Sequence, residues 1–413
     1  MPPAYLAGKI DSPGGEESFD VKVSHRSSTL QANEDYTTLE MLCAGLARIR
    51  LDHQRVQDGT PLQSTTQDGP ALPQAWRAAR RRLWWMGRVA GLNWPRNDLN
   101  LFAHCRVPLS TWPVGLSLAE GDLTAVLLDG DELSEFAEEA AALAGHADVE
   151  AELVQNQTFR ALVTCAQRNG TSEREVPRNY VRLRRLLIAE PVLSDRRVLA
   201  LARIFPAAEA SGELFIRQFL GTAYTFRPEP GKVRLAVCQG CGNPADGAVG
   251  NCPTPGCTGP TGTQTFETLD GYWLQHRATR RFFHDPGLVE TRILDRLAEL
   301  PPSAVEVEAW PLLDAWDSAV TFVPSAPGHP VERWVIDAKD CASPTQLARG
   351  FSSDARIMAR RRIIVLPMHR DKVPGYRTDL VRELDGRVSG IEVLNEEEFV
   401  RQVTRRALQV VAR

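Results

Sequence analysis

VERWVIDAKDC, residues 331–341, is the most informative segment for the fold of the C-terminal part of the chain. An apolar Trp-Val-Ile strand runs directly into Asp337, Ala338 and Lys339. Burying charge beside an apolar run costs several kcal/mol unless the charge is paired or holds a metal. Side chains alternate along a strand, so Asp337 and Lys339 share one face and Ala338 points to the other. The stretch therefore predicts a charged site at the end of a buried strand.

A second predicted strand precedes this one. DAWDSAVTFV, residues 314–323, leads through the turn PSAPGHP into VERWVIDAKD, which is the pattern of a β-hairpin. In an antiparallel pair the start of one strand faces the end of the next, so Asp317 is expected beside Asp337. Such oxygen ligands suit Mg²⁺, and Lys339 would orient or deprotonate a water or stabilise the charged transition state. Two alternatives stay open: Asp314 is the relevant acid instead of Asp317, or Asp340 is a turn residue that pairs with Lys339.

Two predicted helices flank the hairpin. PGLVETRILDRLAEL precedes it and carries Glu290 in its first turn. SPTQLARGFSSDARIMARRR follows it, begins with Ser343 as N-cap and places Gln346 early in a helix. IIVLP then reads as a short buried strand. The predicted order of elements is α-β-β-α-β.

This order and these residues resemble the PD-(D/E)xK superfamily of restriction-endonuclease-like nucleases over about residues 285–400, with the core motif Asp317…Asp337-Ala338-Lys339. The resemblance implies a restriction-endonuclease-like α/β domain and an endonuclease that hydrolyses DNA phosphodiesters with Mg²⁺ or Mn²⁺. The implied ligands are Asp317, Asp337 and the carbonyl of Ala338. Glu290 would serve a second metal or the water network, and Gln346 would support Lys339 or a phosphate.

Three consecutive arginines, Arg360, Arg361 and Arg362, are candidates for phosphate contacts. A solvated helix end explains them equally well. A second basic segment, residues 73–94, mixes arginines with Trp76, Trp84 and Trp85. That mixture suits phosphates and stacked bases. It also suits an amphipathic helix whose tryptophans fill a core, which is the favoured interpretation.

Four cysteines are clustered at Cys238, Cys241, Cys252 and Cys257. Two such pairs, separated by a Gly- and Pro-rich excursion, predict a zinc ribbon in which four thiolates hold one structural Zn²⁺. Gly240, Gly242 and Gly256 suit the tight knuckle turns. A pair of disulfides is the alternative, and an expected cytoplasmic location argues against it. We expect the ribbon to brace a junction between domains.

A narrower resemblance rests on the zinc ribbon together with PGLVE, WDSAVTF and WVIDAKDCASPTQLA. These segments resemble the nuclease subunit of prokaryotic PIWI-RE defence islands. That resemblance implies a PIWI-type protein and a DinG-type helicase as partners, DNA as substrate, and a role against phages and plasmids. The region before the ribbon then resembles the family's domain Y. A second copy of the chain is a further candidate partner.

The length of 413 residues predicts an α+β protein of several domains. We expect a loosely ordered terminus over 1–34, a mainly helical domain over 35–230 with a helix at residues 37–52, a zinc ribbon over 231–270 and the nuclease domain over 271–413. The sequence shows no apolar run long enough to span a bilayer and no secretory signal, which predicts a cytoplasmic protein. The rival hypothesis is a non-catalytic nucleic-acid-binding or assembly subunit.

Overall fold

The computed structural model combines helices and sheets in more than one domain. It describes residues 17–57, 65–66, 69–70, 72–144, 149–245, 252, 254–323, 331–352, 356–385 and 387–411. The chain divides into two compact units, Met1–Ala147 and Asp148–Arg413. This division is coarser than the four predicted segments, whose boundaries stay predictions.

The first unit is mainly helical. Its first helix begins at Glu17, well before the predicted start at Thr37, and the predicted loose order of residues 1–16 lies outside the described part of the chain. On the helix that carries arginines and tryptophans, Trp76, Ala79 and Leu83 form the buried face. The helices of this unit are α1 Glu17–Gln57, α2 Gln74–Val89, α3 Asp98–His104 and α4 Glu135–Leu143, with 3₁₀ turns at Leu109–Thr111 and Asp122–Thr124. Its short strands are β1 Thr65–Thr66, β2 Gly69–Pro70, β3 Leu128–Asp129 and β4 Glu132–Leu133.

The second unit begins with a helical layer followed by small sheets. Apolar residues of the helices pack into one core that also contains Phe283, Leu294 and Trp310 from the later part of the chain. The helices are α5 Val149–Arg168, α6 Glu175–Ala189, α7 Asp195–Ile204 and α8 Phe215–Ala223. The strands are β5 Val192–Ser194, β6 Tyr224–Pro228, β7 Gly231–Cys238, β8 Thr261–Thr268 and β9 Gly271–Gln275. Strands β7 and β8 form an antiparallel hairpin.

The C-terminal part of this unit is built on one five-stranded sheet in the order β10-β11-β12-β13-β14. The first three strands are antiparallel, and β12, β13 and β14 are parallel. The strands are β10 Val305–Ala309, β11 Ser318–Phe322, β12 Glu332–Ala338, β13 Arg361–Leu366 and β14 Ile391–Asn395. The helices are α9 Arg277–Thr279, the π-helical turn Arg280–His284, α10 Asp285–Ala298, the short turn α11 Pro311–Asp314, α12 Pro344–Gly350, α13 Met368–Asp371, α14 Tyr376–Asp385 and α15 Glu396–Val411.

Helices cover both faces of this sheet, which explains the continuous apolar run of β13. Ile363 and Val365 pack with α10 and α15 on one face. Ile364 and Leu366 pack with α12 and α14 on the other. A parallel strand that is buried on both faces has no polar face to show to water, so its sequence does not alternate.

The sequence predicted the hairpin of β11 and β12, and the structure contains it; its predicted turn lies outside the described residues. Two other expectations are wrong. The predicted order omitted β10, which pairs with β11. The predicted helix after the hairpin ends at Gly350 instead of reaching Arg362, because Arg361 and Arg362 already belong to β13.

Candidate functional site

The register of β11 and β12 brings two acids to the same edge of the sheet. Ser318 is paired with Ile336, and the N–H of Asp317 donates to the carbonyl of Ile336. The carboxylate of Asp317 in turn accepts the backbone N–H of Ala338 at 2.6 Å. This places Asp317 beside Asp337, as the antiparallel pattern predicts.

Lys339 lies at the same edge. Its Nζ is 2.6 Å from Oδ1 of Asp337, in keeping with two side chains that share one face of the strand. Ala338 points to the opposite face and packs in the core with α10 and α15. Two acids and a lysine therefore converge where β12 ends.

Glu290 reaches this region from α10 and is almost completely buried, with 4 % of its surface exposed. The indole Nε1 of Trp310 donates to its Oε2 at 2.7 Å. The guanidinium of Arg184, on α6, lies 3.3 and 3.4 Å from the two carboxylate oxygens. Because both side chains are buried, each charge needs an oppositely charged partner to offset the loss of its hydration.

Arg184 also touches a fourth acid. Its Nη1 lies 3.7 Å from Oδ2 of Asp314, and its guanidinium stacks over the rings of Phe283 and Trp310. The turn that holds Asp314 is unusual, because Trp310, Leu312, Leu313 and Asp314 all have positive φ. Strained backbone of this kind is concentrated at functional sites.

Several carboxyl groups lie close together at this edge, and their proximity and burial shift the pKa values of the side chains there. Burial raises the pKa of Asp317 well above its ordinary range, and the neighbouring Glu290 and Asp337 raise it further. Burial also raises the pKa of Glu290, although Arg184 opposes the shift. Burial by itself would lower the pKa of Lys339, but Asp337 and Asp317 more than offset it and hold it above its ordinary value. These acids thus favour the ammonium form of Lys339, which donates hydrogen bonds.

We call the group of Glu290, Asp314, Asp317, Asp337 and Lys339 the acidic edge. Its carboxylates offer the hard oxygen donors that Mg²⁺ and Mn²⁺ prefer. Mg²⁺ usually takes one or two carboxylates and keeps several waters, so Asp317 and Asp337 are enough. Within the described residues, the cysteine cluster is the one group with three or more ligand atoms already within metal-binding distance of one another. The acidic edge thus fits a hydrated cation better than a closed protein cage.

Three other predicted site residues lie farther from this edge. Arg361 and Arg362 begin β13 and are paired in register with Trp334 and Val335, three or two residues before Asp337. At about 3.3 Å per residue, this places them toward the opposite end of the strand. Arg361 binds Glu392 and stacks on Trp334, while Arg360 is 3.4 Å from Glu332. A phosphate contact by these arginines stays a prediction that this placement does not support.

The remaining predicted residues take clear positions. Gln346 is buried in the first turn of α12, where its N–H donates to the Ser343 side chain. Its role toward Lys339 or phosphate stays a prediction. Asp340 pairs with His369 at 2.9 Å and with Arg370 at 2.7 Å. The alternative in which Asp340 pairs with Lys339 is not what the structure shows, because Lys339 pairs with Asp337.

The four cysteines converge as the spacing predicts. Sγ of Cys238 lies 3.5 Å from that of Cys257, and Sγ of Cys241 lies 3.3 Å from that of Cys252. These separations are far longer than a disulfide bond, and all four thiols are free. Four thiolates around Zn²⁺ at about 2.3 Å would be close to this spacing. The cluster could therefore hold a metal such as zinc.

The knuckle turns have the geometry that the glycines predict. Gly242 and Gly256 have positive φ, whereas a Cβ on Gly240 would meet Gly259 and the Cys257 sulfur at 3.1–3.2 Å. Backbone N–H groups of Gly240 and Thr254 point at the sulfurs of Cys238 and Cys252, both at 3.4 Å. Burial alone would raise the pKa of Cys238, but backbone N–H groups and the neighbouring cysteines lower it to about 7. A thiolate is thus favoured at Cys238, whereas burial raises the pKa values of Cys241 and Cys257.

The knuckles contact the elements that carry the acidic edge. The side chains of Asn243 and Thr254 donate to Oδ1 of Asp285, at the start of α10, at 3.1 and 3.0 Å. Gly256 packs so closely on His369 that a Cβ there would lie 2.3 Å from the imidazole. His369 is the residue that binds Asp340. The knuckles thus lie against the start of α10, the helix that carries Glu290, and against His369, which binds the residue that follows Lys339.

Sequence reasoning missed Arg184, Trp310 and His369. One signal for Arg184 was present: it lies four residues after Tyr180 and beside Leu183 and Leu187 on the apolar face of α6. A charge on a buried helical face needs a partner, and such a partner is a candidate for a site. Nothing local marks Trp310, whose indole reaches Glu290 only because of the left-handed turn.

Comparison with known protein families finds a match for one part of the chain. Residues 287–409 match the family model described as "REase associating with pPIWI_RE". This match confirms the predicted resemblance to the nuclease subunit of PIWI-RE systems. The matched segment contains Glu290, Asp317, Asp337 and Lys339. No curated protein and no solved structure matches the chain. No helix among the described residues is both long and apolar enough to cross a membrane.

Proposed function

We propose, from this family match and from the acidic edge, that the chain is a metal-dependent endonuclease of the PD-(D/E)xK type that hydrolyses DNA phosphodiester bonds. The observation that carries the proposal is the convergence of Asp317, Asp337 and Lys339 at the end of β12. The sheet order around these residues, antiparallel at one side and parallel at the other with helices on both faces, supports a restriction-endonuclease-like domain.

The roles follow from the positions of the side chains. Asp317 and Asp337 present carboxylate oxygens to a divalent cation, with the carbonyl of Ala338 as a further ligand. A bound Mg²⁺ or Mn²⁺ would supply Lewis-acid stabilisation of the phosphate oxygens. Lys339, held as an ammonium ion by its acidic neighbours, donates to the attacking water or to the charge that develops on the phosphate. Gln346 supports Lys339 or a phosphate from α12.

The cysteine cluster has a structural role in this proposal. A closed site of four thiolates leaves no open position for a substrate, so Zn²⁺ bound there contributes to folding and not to hydrolysis. Its knuckles hold Asp285 and His369. The zinc ribbon therefore braces α10, which carries Glu290, and His369, which binds Asp340 just after Lys339.

The family match also supports a biological role beside a PIWI-type protein. We propose that the chain cleaves DNA in a prokaryotic anti-phage or anti-plasmid complex that includes a DinG-type helicase. The rival function, a non-catalytic nucleic-acid-binding or assembly subunit, draws on α2, where Trp84 and Trp85 are 42 % and 64 % exposed.

Nicking of a supercoiled plasmid separates the two functions. The full chain, alone and with its partner proteins, should convert plasmid to nicked or linear product with Mg²⁺ or Mn²⁺ and not with EDTA. The Asp317→Ala variant should lose this activity. Cleavage that persists in that variant, or that proceeds in EDTA, would contradict the proposal.

A further inference from the structure

The guanidinium of Arg184 is a positive charge that the protein itself places at the acidic edge. Arg184 is buried, with 4 % of its surface exposed, and its guanidinium bridges Glu290 and Asp314. The aromatic rings of Phe283 and Trp310 lie against it. It comes from α6, more than a hundred residues before Glu290, and outside the segment that matches the family model.

The charges at this edge can be counted. The acids are Glu290, Asp314, Asp317 and Asp337, and the bases are Arg184 and Lys339. A carboxyl group binds a metal in its ionised form, so the count is made with all four acids ionised. Four negative charges and two positive ones then leave two negative charges. One divalent cation neutralises that remainder, whereas two divalent cations would leave two positive charges in a half-buried site before substrate arrives.

The contacts divide the acids into two pairs. Glu290 is occupied by Arg184 and by the indole of Trp310, and Asp314 also faces Arg184. Asp337 pairs with Lys339 instead, and Asp317 lies close to Asp337, Lys339 and Glu290. A flexible ammonium can move away from Asp337, but a guanidinium that is buried between two rings cannot easily leave Glu290.

We propose that Arg184 takes the place of a second metal ion, so that the acidic edge binds a single divalent cation, on Asp317 and Asp337. This inference rests on the proposed function and makes it more specific. Glu290 is then a positioning residue that fixes Arg184, and the expectation that it serves a second metal is replaced. The helical layer becomes part of the site because α6 supplies one of its charges.

The test counts Mn²⁺ on the full-length, zinc-loaded chain by electron paramagnetic resonance and calorimetry. The wild type should bind one Mn²⁺ that is lost in the Asp337→Ala variant. Arg184→Met should bind a second Mn²⁺, or bind the first at least tenfold more tightly, because an uncompensated negative charge remains. Arg184→Lys should behave as the wild type does.

Arg185 provides a matched control. It is the next residue on α6, and it pairs with Asp295 in an exposed ion pair at 2.9 Å. Arg185→Met removes the same charge from the same helix and should leave both the number of Mn²⁺ ions and their affinity unchanged. Equal effects of Arg184→Met and Arg185→Met would overturn the proposal, as would two Mn²⁺ ions at the edge of the wild type.

A second variant keeps the proposal testable if Arg184→Met does not fold. Glu290→Gln removes one negative charge and should weaken Mn²⁺ binding by about tenfold at most, but it should keep the single Mn²⁺ that depends on Asp337. Complete loss of Mn²⁺ binding in Glu290→Gln, as in Asp337→Ala, would show that Glu290 is a ligand. A wild type that binds no Mn²⁺ dependent on Asp337 would instead contradict the proposed nuclease function itself, so the two failures are distinguishable.

Discussion

Arg184 and Glu290 form a buried ion pair whose energetic importance can be measured by a double-mutant cycle. Removing one member of such a pair leaves an uncompensated buried charge, which costs about 3–5 kcal/mol. Arg184 and Glu290 are 5 % and 4 % exposed at their side chains. We therefore expect Arg184→Met to lower the free energy of unfolding by about 3–5 kcal/mol and the melting temperature by on the order of 10 °C.

The control and the double variant separate charge from packing. Arg185 and Asp295 are 41 % and 63 % exposed, so Arg185→Met should cost about 0–1 kcal/mol. Arg184→Met combined with Glu290→Gln should be more stable than the sum of the single changes predicts, by about 1–3 kcal/mol, because no charge then stays unpaired between them. Asp314 keeps some access to water and is not expected to cancel this gain.

Urea unfolding of the zinc-loaded chain without added Mg²⁺ or Mn²⁺, followed by circular dichroism, gives the four free energies of the cycle. Added divalent cations are left out because they would neutralise the acids and hide the effect. Equal stability of the Arg184→Met and Arg185→Met variants would show that the buried ion pair has no special energetic importance. Strictly additive effects of the two changes would show the same.

Three further predictions concern other parts of the chain. The wild type should bind one zinc per chain, and Cys257→Ser should lower both the zinc content and the melting temperature, because structural zinc contributes folding free energy. A variant that binds no zinc and is as stable as the wild type would contradict the structural role of the zinc ribbon. Burial lowers the pKa of His284 from 6.5 to about 4, so the unfolded chain binds more protons between these values and stability should fall by about 3 kcal/mol as the pH drops through that window. His284→Gln should flatten this pH dependence, and an unchanged slope would rule out His284 as its source. Adding the partner proteins and a target should raise cleavage at least tenfold over the chain alone at physiological salt, and sequence-specific cutting by the isolated chain would contradict this dependence.

Local patterns predicted the part of the site that depends on neighbouring strands. The alternation in VERWVIDAKD and the turn before it fix the register that sets Asp317 beside Asp337, and the structure has this register. The cysteine spacing likewise predicted one cluster, since each knuckle is a local turn. Both features depend on few residues that are close in sequence.

Tertiary contacts decided what the sequence did not predict. Arg361 reads as the end of a basic helix, but its stacking on Trp334 and its pairing with Glu392 stabilise it in a strand. Arg184 reads as one arginine among many, and only packing across more than a hundred residues identifies its partner, Glu290. The strand β10 was omitted although VEVEA alternates, and its pairing with β11 is a contact that its own five residues do not indicate.

The proposed metal-dependent cleavage of DNA depends on Asp337 and Asp317. Its most direct test is plasmid cleavage by the Asp337→Ala chain with Mn²⁺ and the partner proteins. Glu306, an exposed acid on β10 of the same sheet, provides the matched control Glu306→Ala. We predict that Asp337→Ala abolishes cleavage while it keeps the wild-type circular dichroism spectrum and DNA affinity, and that Glu306→Ala cleaves at the wild-type rate. Cleavage by Asp337→Ala at the wild-type rate would contradict the account.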